Sequence, residues 1–229
     1  MEIKRISSGI KELDAYTQGG YEKGSMIVIK GGPGTGKTIF ALHFIWEGLK
    51  NGERCLYITF DESKEDLIKD AKLFGMDIDK YIGNLLHIEY YSLLDIDRFL
   101  EDFINILQNY RPNRLVIDPI SVIEQYVGEK SSFRKFLSNI KRISRDFEVT
   151  ILLTEEEFGS DIFETKTSIE SVVDFVADCV IHLYYPGLGG EYDRSLRIVK
   201  MRRTKHVRDI IPMRIESGKG IVLSKPESL

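Results

Sequence analysis

Residues 30–40 read KGGPGTGKTIF, and SMIVIK at 25–30 leads into them. The apolar, β-branched run predicts a buried strand, and the pattern after Lys37 predicts a helix over 37–50. Between the two, Gly31, Gly36, Lys37 and Thr38 fit the spacing G-x-x-x-x-G-K-[ST]. Each residue type has a reason. Glycine lets the backbone turn through φ > 0 and bring successive N–H groups onto an anion. A helix that opens there adds unpaired donors and a partial positive charge. Four fixed positions arise by chance in roughly one chain in a hundred of this length, and the strand–loop–helix context narrows that further.

The stretch is therefore expected to cradle the phosphates of a nucleotide. Gly31, Gly32, Pro33, Gly34, Thr35, Gly36, Lys37, Thr38 and Ile39 form the expected binding set. Lys37 would reach the β- and γ-phosphates, and the Thr38 hydroxyl would take a position on Mg²⁺.

Outward from the loop, strand-like runs alternate with helical patterns. The expected strands are 25–30, 54–60, 85–90, 114–118 and 149–154, with helices near 37–50, 62–74, 95–109 and 132–146. Near-continuous apolar strands are those covered on both faces, and the alternation implies a mostly parallel sheet flanked by helices. After residue 178 the rhythm changes. CVIHLYY, PGLGGEYD and RSLRIVKMR read as a hairpin, and PMRIE, SGKG and GIVLS as a second turn between strands. An antiparallel C-terminal extension should close one side of the sheet. The absence of a Pro/Ser/Gly linker predicts one domain over 1–229.

Phosphate chemistry with Mg²⁺ needs an acid at a neighbouring strand tip. RLVID at 114–118 supplies Asp118, and Pro119 ends the ladder there. A further group must orient or deprotonate the attacking water. Asp61 and Glu62, in YITFDES, stand at the end of the strand 54–60, on the same carboxyl edge. The pair, with Ser63, would equally suit the start of the helix that follows. Both roles can hold together, and Glu62 is the favoured base.

The bulk numbers agree with a globular rather than a disordered chain. The 229 residues are 42% hydrophobic and 30% charged, with a net charge of −4. That balance argues against a generally basic, nucleic-acid-coating surface. Cys55 and Cys179 lie far apart in apolar runs and read as buried thiols. With no apolar leader in MEIKRISSGI and no membrane-length stretch, a cytoplasmic location without a membrane partner is expected.

Nearly end to end, the chain resembles single-domain KaiC-like ATPases of the RecA/RadA superfamily. The likeness runs through ISSGIKELDAYTQGGYEKGSMIVIKGGPGTGKT, FALHFIWEGL, YITFDES, LVIDPIS, VADCVIHLYY, IVKMRRTKH and GIVLS. The resemblance implies a RecA-like P-loop fold, ATP as the nucleotide, and a ring, a hexamer being favoured. It implies that the two acids after the second strand supply the catalytic carboxylate. It also implies that a K-x-R segment, here Lys200-Met201-Arg202, reaches the γ-phosphate held by the neighbouring subunit. His206 lies beside that segment and is a further nucleotide-contact candidate. Asp61 and Arg203 depart from the family's glutamate and glycine at those places. A fixed cation in trans also has its own rationale, since it meets charge developing on the transferred phosphoryl group.

The alternative function is a RadA-paralogue-like accessory protein binding single-stranded DNA under ATP control. Residues 194–208 carry Arg194, Arg197, Lys200, Arg202, Arg203, Lys205 and Arg208, a strip able to grip phosphates. Against it, the loop TEEEFGSDIFETK carries Glu155, Glu156, Glu157, Asp161 and Glu164, which would repel a phosphate chain. Signalling or regulatory output through a protein partner of unspecified identity ranks ahead. Ser121, Ser131 and Ser132 are not expected to be self-phosphorylation sites.

Overall fold

The computed structural model describes residues 3–92, 96–157, 171–187 and 193–225. In chain order the elements are β1 (Arg5–Ile6), α1 (Lys11–Tyr16), β2 (Tyr21–Glu22), β3 (Met26–Gly31), α2 (Lys37–Lys50), β4 (Cys55–Thr59) and α3 (Lys64–Leu73). A short 3₁₀ turn at Ile78–Tyr81 precedes β5 (Leu86–Tyr90), α4 (Ile96–Tyr110), β6 (Arg114–Asp118), α5 (Ser121–Val127), α6 (Lys130–Asp146) and β7 (Thr150–Glu156). Last come α7 (Val172–Val176), β8 (Cys179–Tyr184), β9 (Arg194–Met201), β10 (Ile211–Glu216) and β11 (Gly220–Leu223).

The main sheet has nine strands in the order β11-β10-β9-β8-β3-β7-β6-β4-β5. From β8 to β5 every pairing is parallel; from β8 to β11 every pairing is antiparallel. This is the α/β architecture expected from the sequence, with the antiparallel extension on one edge. Its glycine-rich turn at 188–192 lies outside the described residues.

Alternation along β3 explains why all its positions are buried. Ile27 and Ile29 face one core, with Leu13 of α1, Phe40 and Phe44 of α2 and Leu67 of α3. Met26 and Val28 face the other, with Phe99 and Phe103 of α4, Ile123 of α5 and Phe133 and Leu137 of α6. Each such side chain contributes about 1.5–3 kcal/mol through burial. Both faces of the sheet are thus covered, which leaves only its edges and strand tips for chemistry.

Element boundaries agree with the sequence reading to within about two residues, and short elements that it did not expect appear, among them α1, α5, α7 and the ribbon β1–β2. Helix α5 fits between Pro119 and Gly128, the latter at φ +68°. Helix α7 opens on a capping box, in which Ser171 accepts from the Asp174 N–H. The ribbon β1–β2 pairs Arg5 with Glu22 and Ile6 with Tyr21. Two-residue strands show no periodicity to read. Cys55 and Cys179 are buried free thiols, as expected, and burial raises their pKa values, that of Cys55 to about 12.

Among the described residues no helix is long and apolar enough to cross a membrane.

Candidate active site

The sheet order decides the site. Adjacent strands β3, β7, β6 and β4 end side by side, so their tips bring together the loop after β3, Glu156, Asp118 and the pair Asp61–Glu62. They line a cleft of about 630 Å³ together with Pro33, Gly34, Gly36, Lys37, Thr38, Ile39, Pro119, Arg194 and Ile215.

Gly36 holds φ +98° where α2 begins, and a Cβ there would stand 3.0 Å from Ile215 Cδ1. At Gly31 a Cβ would meet the Leu183 carbonyl oxygen at 2.7 Å. Both positions need glycine, one for its φ and the other for close packing. The Thr35 hydroxyl donates to the Gly32 carbonyl at 2.8 Å and braces the turn. Lys37 Nζ donates to the carbonyls of Gly31 and Gly32 at 3.0 Å each. Burial lowers its pKa, against the nearby carboxylates of Glu156, Asp118 and Asp61. The first-turn N–H groups of α2 have no acceptor within the helix and face the loop's concavity.

Asp118 is buried and held from both sides. Tyr57 OH donates to Oδ2 at 2.5 Å, and Thr154 Oγ1 donates to Oδ1. Tyr57 is a β4 residue and Thr154 a β7 residue, so the two flanking strands fix the carboxylate of the strand between them.

After β4 the Glu62 N–H donates to Thr59 Oγ1 at 3.1 Å, and Thr59 Oγ1 donates to the Glu62 carbonyl at 3.0 Å. This clamp sets Glu62 at the cleft wall, and Ser63, not Asp61 or Glu62, caps α3. Glu62 Oε2 is buried with no hydrogen-bond partner. Burial, then Asp118, Asp70, Asp61 and Asp66, push the Glu62 carboxyl up to about 7. Asp61 is also raised, by burial, Glu156 and Asp118, although Lys37 opposes. A half-buried carboxyl with an unspent oxygen and a pKa near neutrality suits proton abstraction.

Four carboxylates therefore face the two cations Lys37 and Arg194 across the cleft. The oxygen donors fit Mg²⁺, a hard cation usually bound through one or two protein oxygens together with substrate phosphates and water. No cluster of three or more metal-binding side chains exists among the described residues, so such an ion would depend on the phosphates it accompanies.

Lys200 and Arg202 are not in this cleft. Lys200 pairs with Val180, at the level of Val28, and Met201 with Cys179, at the level of Ile27, so the chain is running away from the loop end of β3 as it reaches Arg202. From the level of Lys200 to Gly31 is three residues, about 10 Å along the strand, beyond the reach of a lysine side chain. Lys200 Nζ donates to the Asp174 carbonyl at 2.9 Å, and its pKa is lowered by burial, Arg202 and Lys141. The Arg202 N–H donates to the Asp178 carbonyl at 2.9 Å, and its guanidinium lies 4.0 Å from the Asp178 carboxylate. His206, on the same side, has Nδ1 2.8 Å from the Val207 carbonyl. His43, by contrast, is a core residue that accepts from the Ile221 N–H. Burial lowers its pKa to about 4.

Several cleft residues were not singled out for this role by the sequence. Glu156 and Ile215 carry no motif, and Tyr57 and Thr154 resemble ordinary strand residues. Arg194 counted only as one of a basic strip. In the fold its Nε donates to the Gly34 carbonyl at 3.2 Å and its guanidinium lies 3.9 Å over the Tyr185 ring. Its register partner would have revealed it: the first residue of a strand antiparallel to β8 must return to the carboxyl edge. Of the acidic loop after β7, Asp161 and Glu164 lie outside the described residues.

A family model described as "ATPase: KaiC" matches residues 6–228. The circadian clock protein KaiC3 of Synechocystis sp. is 31% identical over 225 residues, which are 97% of this chain and 44% of KaiC3. The chain thus spans less than half of that relative. A UPF0273 protein of Thermotoga maritima is 31% identical over 98% of both chains. The crystal structure of a KaiC-like protein from Pyrococcus horikoshii OT3 superposes with a TM-score of 0.81 at 31% identity, covering 97% of this chain and all of that one.

Proposed function

This chain belongs to the KaiC ATPase family, and from that premise we propose that residues 1–229 form a single KaiC/RecA-type domain that binds and hydrolyses ATP with Mg²⁺. The observation that carries the reading is the convergence of Lys37, Thr38, Asp118 and Glu62 on one cleft at the tips of adjacent strands.

The loop amides and Lys37 bind the triphosphate and orient its terminal group. Thr38, and Asp118 through water, would hold the magnesium ion, which supplies neutralisation of phosphate charge when bound. Glu62 takes the proton from the attacking water, and Thr59 keeps it in position for that. Asp61 adds to the local negative potential, keeping the proton affinity of Glu62 high enough for the transfer.

Lys200 and Arg202 serve the cleft of a neighbouring subunit, which their place at the far end of the sheet supports. That arrangement is head-to-tail and closes as a ring, a hexamer by analogy with the family, with regulatory output through a protein partner. Single-stranded DNA binding ranks second. Arg194 and Lys200 lie at opposite ends of β9, and Arg203 is engaged by Glu22, so the basic residues do not form one continuous grip.

Steady-state ATP hydrolysis by Lys37→Ala and Glu62→Gln tests the assignment. Near-complete loss in both is expected; wild-type rates in both would discard it. A salt titration of single-stranded DNA affinity tests the second reading, and no binding at low salt removes it.

A further inference from the structure

Segment 202–205 leaves β9 through a backbone that its sequence does not favour. Arg203 holds φ +55°, a left-handed conformation that L side chains rarely adopt. Something outside the segment must hold it there, and the contacts identify the ribbon β1–β2. Arg203 Nε and Nη2 both donate to Glu22 Oε2, at 2.8 and 2.6 Å. Arg5 Nη2 donates to the Arg203 carbonyl at 3.3 Å and to Thr204 Oγ1 at 3.1 Å, while its Nη1 ties down the Gly20 carbonyl at 3.0 Å. The Lys205 N–H donates to Gln18 Oε1 at 3.0 Å. Arg5 and Glu22 are themselves register partners. The ribbon thus grips three groups of the segment that directly follows Arg202, and Gln18, just before β2, holds a fourth.

We propose that this ribbon is the cradle that aims the trans-acting cations, with Glu22 and Arg5 as positioning residues and Arg203 as the anchor they hold. The inference rests on the trans role of Lys200 and Arg202 proposed above. Its logic is geometric. Arg202 is fixed from behind by its N–H bond to the Asp178 carbonyl, and from ahead by the turn that Arg203 anchors, in which the Thr204 hydroxyl donates to the Arg202 carbonyl at 3.1 Å. Releasing Arg203 frees the chain on one side of Arg202, and a displacement of about 1 Å at a phosphate-binding cation costs up to 10²-fold in rate. None of these ribbon contacts reaches the subunit's own cleft, whose lining includes neither Arg5, Glu22 nor Arg203.

Arg203→Ala and Glu22→Gln, both at partly exposed positions, should lower kcat about tenfold or more. Mg·ATP affinity by calorimetry and the sedimentation coefficient should stay as in the wild type. Unchanged kcat, weakened nucleotide binding or dissociation would each overturn the proposal. Co-expression with Glu62→Gln then separates it from its premise. Random head-to-tail mixing pairs an intact base with an intact finger at about a quarter of interfaces, so turnover should return to about a quarter of wild type. Recovery with Lys200→Ala but not with Arg203→Ala would overturn the cradle alone. Recovery with neither would remove the trans reading and the cradle with it.

Discussion

Replacing Glu62 by glutamine should stabilise the protein while disabling it, and the stabilisation should depend on pH in one direction. The carboxyl is raised from 4.5 to about 7 because burial and four acidic neighbours disfavour its charge. The folded state therefore binds this proton more tightly than the unfolded chain. Below about pH 4.5 both states are protonated and no penalty exists; above about pH 7 the folded state carries the full penalty. A shift of that size corresponds to about 3 kcal/mol at most. Glu62 is only half-buried, so solvent screening reduces it to the order of 1–2 kcal/mol. For a chain of this length the unfolding entropy makes that about 2–4 °C in melting temperature. Nearly all of it should be present at pH 8 and about half at pH 5. The assay is thermal unfolding of wild type and Glu62→Gln at both pH values, without nucleotide, with ATP turnover measured alongside. Turnover should fall about 10²–10⁴-fold, the usual worth of a positioned base. Wild-type turnover itself should rise as pH passes through about 7, since only the deprotonated carboxylate accepts the water's proton. An equal stabilisation at the two pH values, or a destabilisation at pH 8, would refute the electrostatic reasoning.

Lys37→Ala should weaken Mg·ATP binding about 10–100-fold in calorimetry, the worth of a charge-assisted hydrogen bond to phosphate. Tyr57→Phe removes the hydroxyl that donates to Asp118 Oδ2; it should cost about 1–3 kcal/mol in a urea titration. Lys30→Met should be more damaging, about 3–5 kcal/mol. Its buried ammonium lies 3.0 Å from Asp174 and 3.6 Å from Glu155, and both acids would lose their counter-charge. A midpoint unchanged by Lys30→Met would show that these acids are neutral in the folded protein.

Much of this was legible in the sequence because the signals were local. The loop motif, the buried strands and the aspartate ending RLVID depend on residues within a few positions of one another. What the sequence hid depends on strand order. That β7 inserts between β3 and β6, bringing Glu156 to the cleft and Thr154 onto Asp118, is written in no short segment. Tyr57 was hidden for a related reason: its ring packs in the core while its hydroxyl serves the site, and the sequence pattern reports only the packing. Helix α5 was missed because seven residues do not establish a period. The ribbon β1–β2 was missed because its importance lies in what it holds almost two hundred residues away.

Strand β9 gives the assembly question a sharp form. It starts with Arg194 at the subunit's own cleft and approaches its end with Lys200 at the opposite edge, so one rigid strand carries one cation for each of two different places. Under the head-to-tail proposal those places are two successive nucleotides. Arg194→Ala would then impair the cleft of the subunit that bears it, and Lys200→Ala the cleft next door. Co-expression with a Glu62→Gln partner distinguishes the two, because only a defect exported to the neighbour can be complemented by a partner whose own cleft is dead. If Arg194→Ala were rescued and Lys200→Ala were not, the direction of the assembly would be the reverse of the one argued from this sheet.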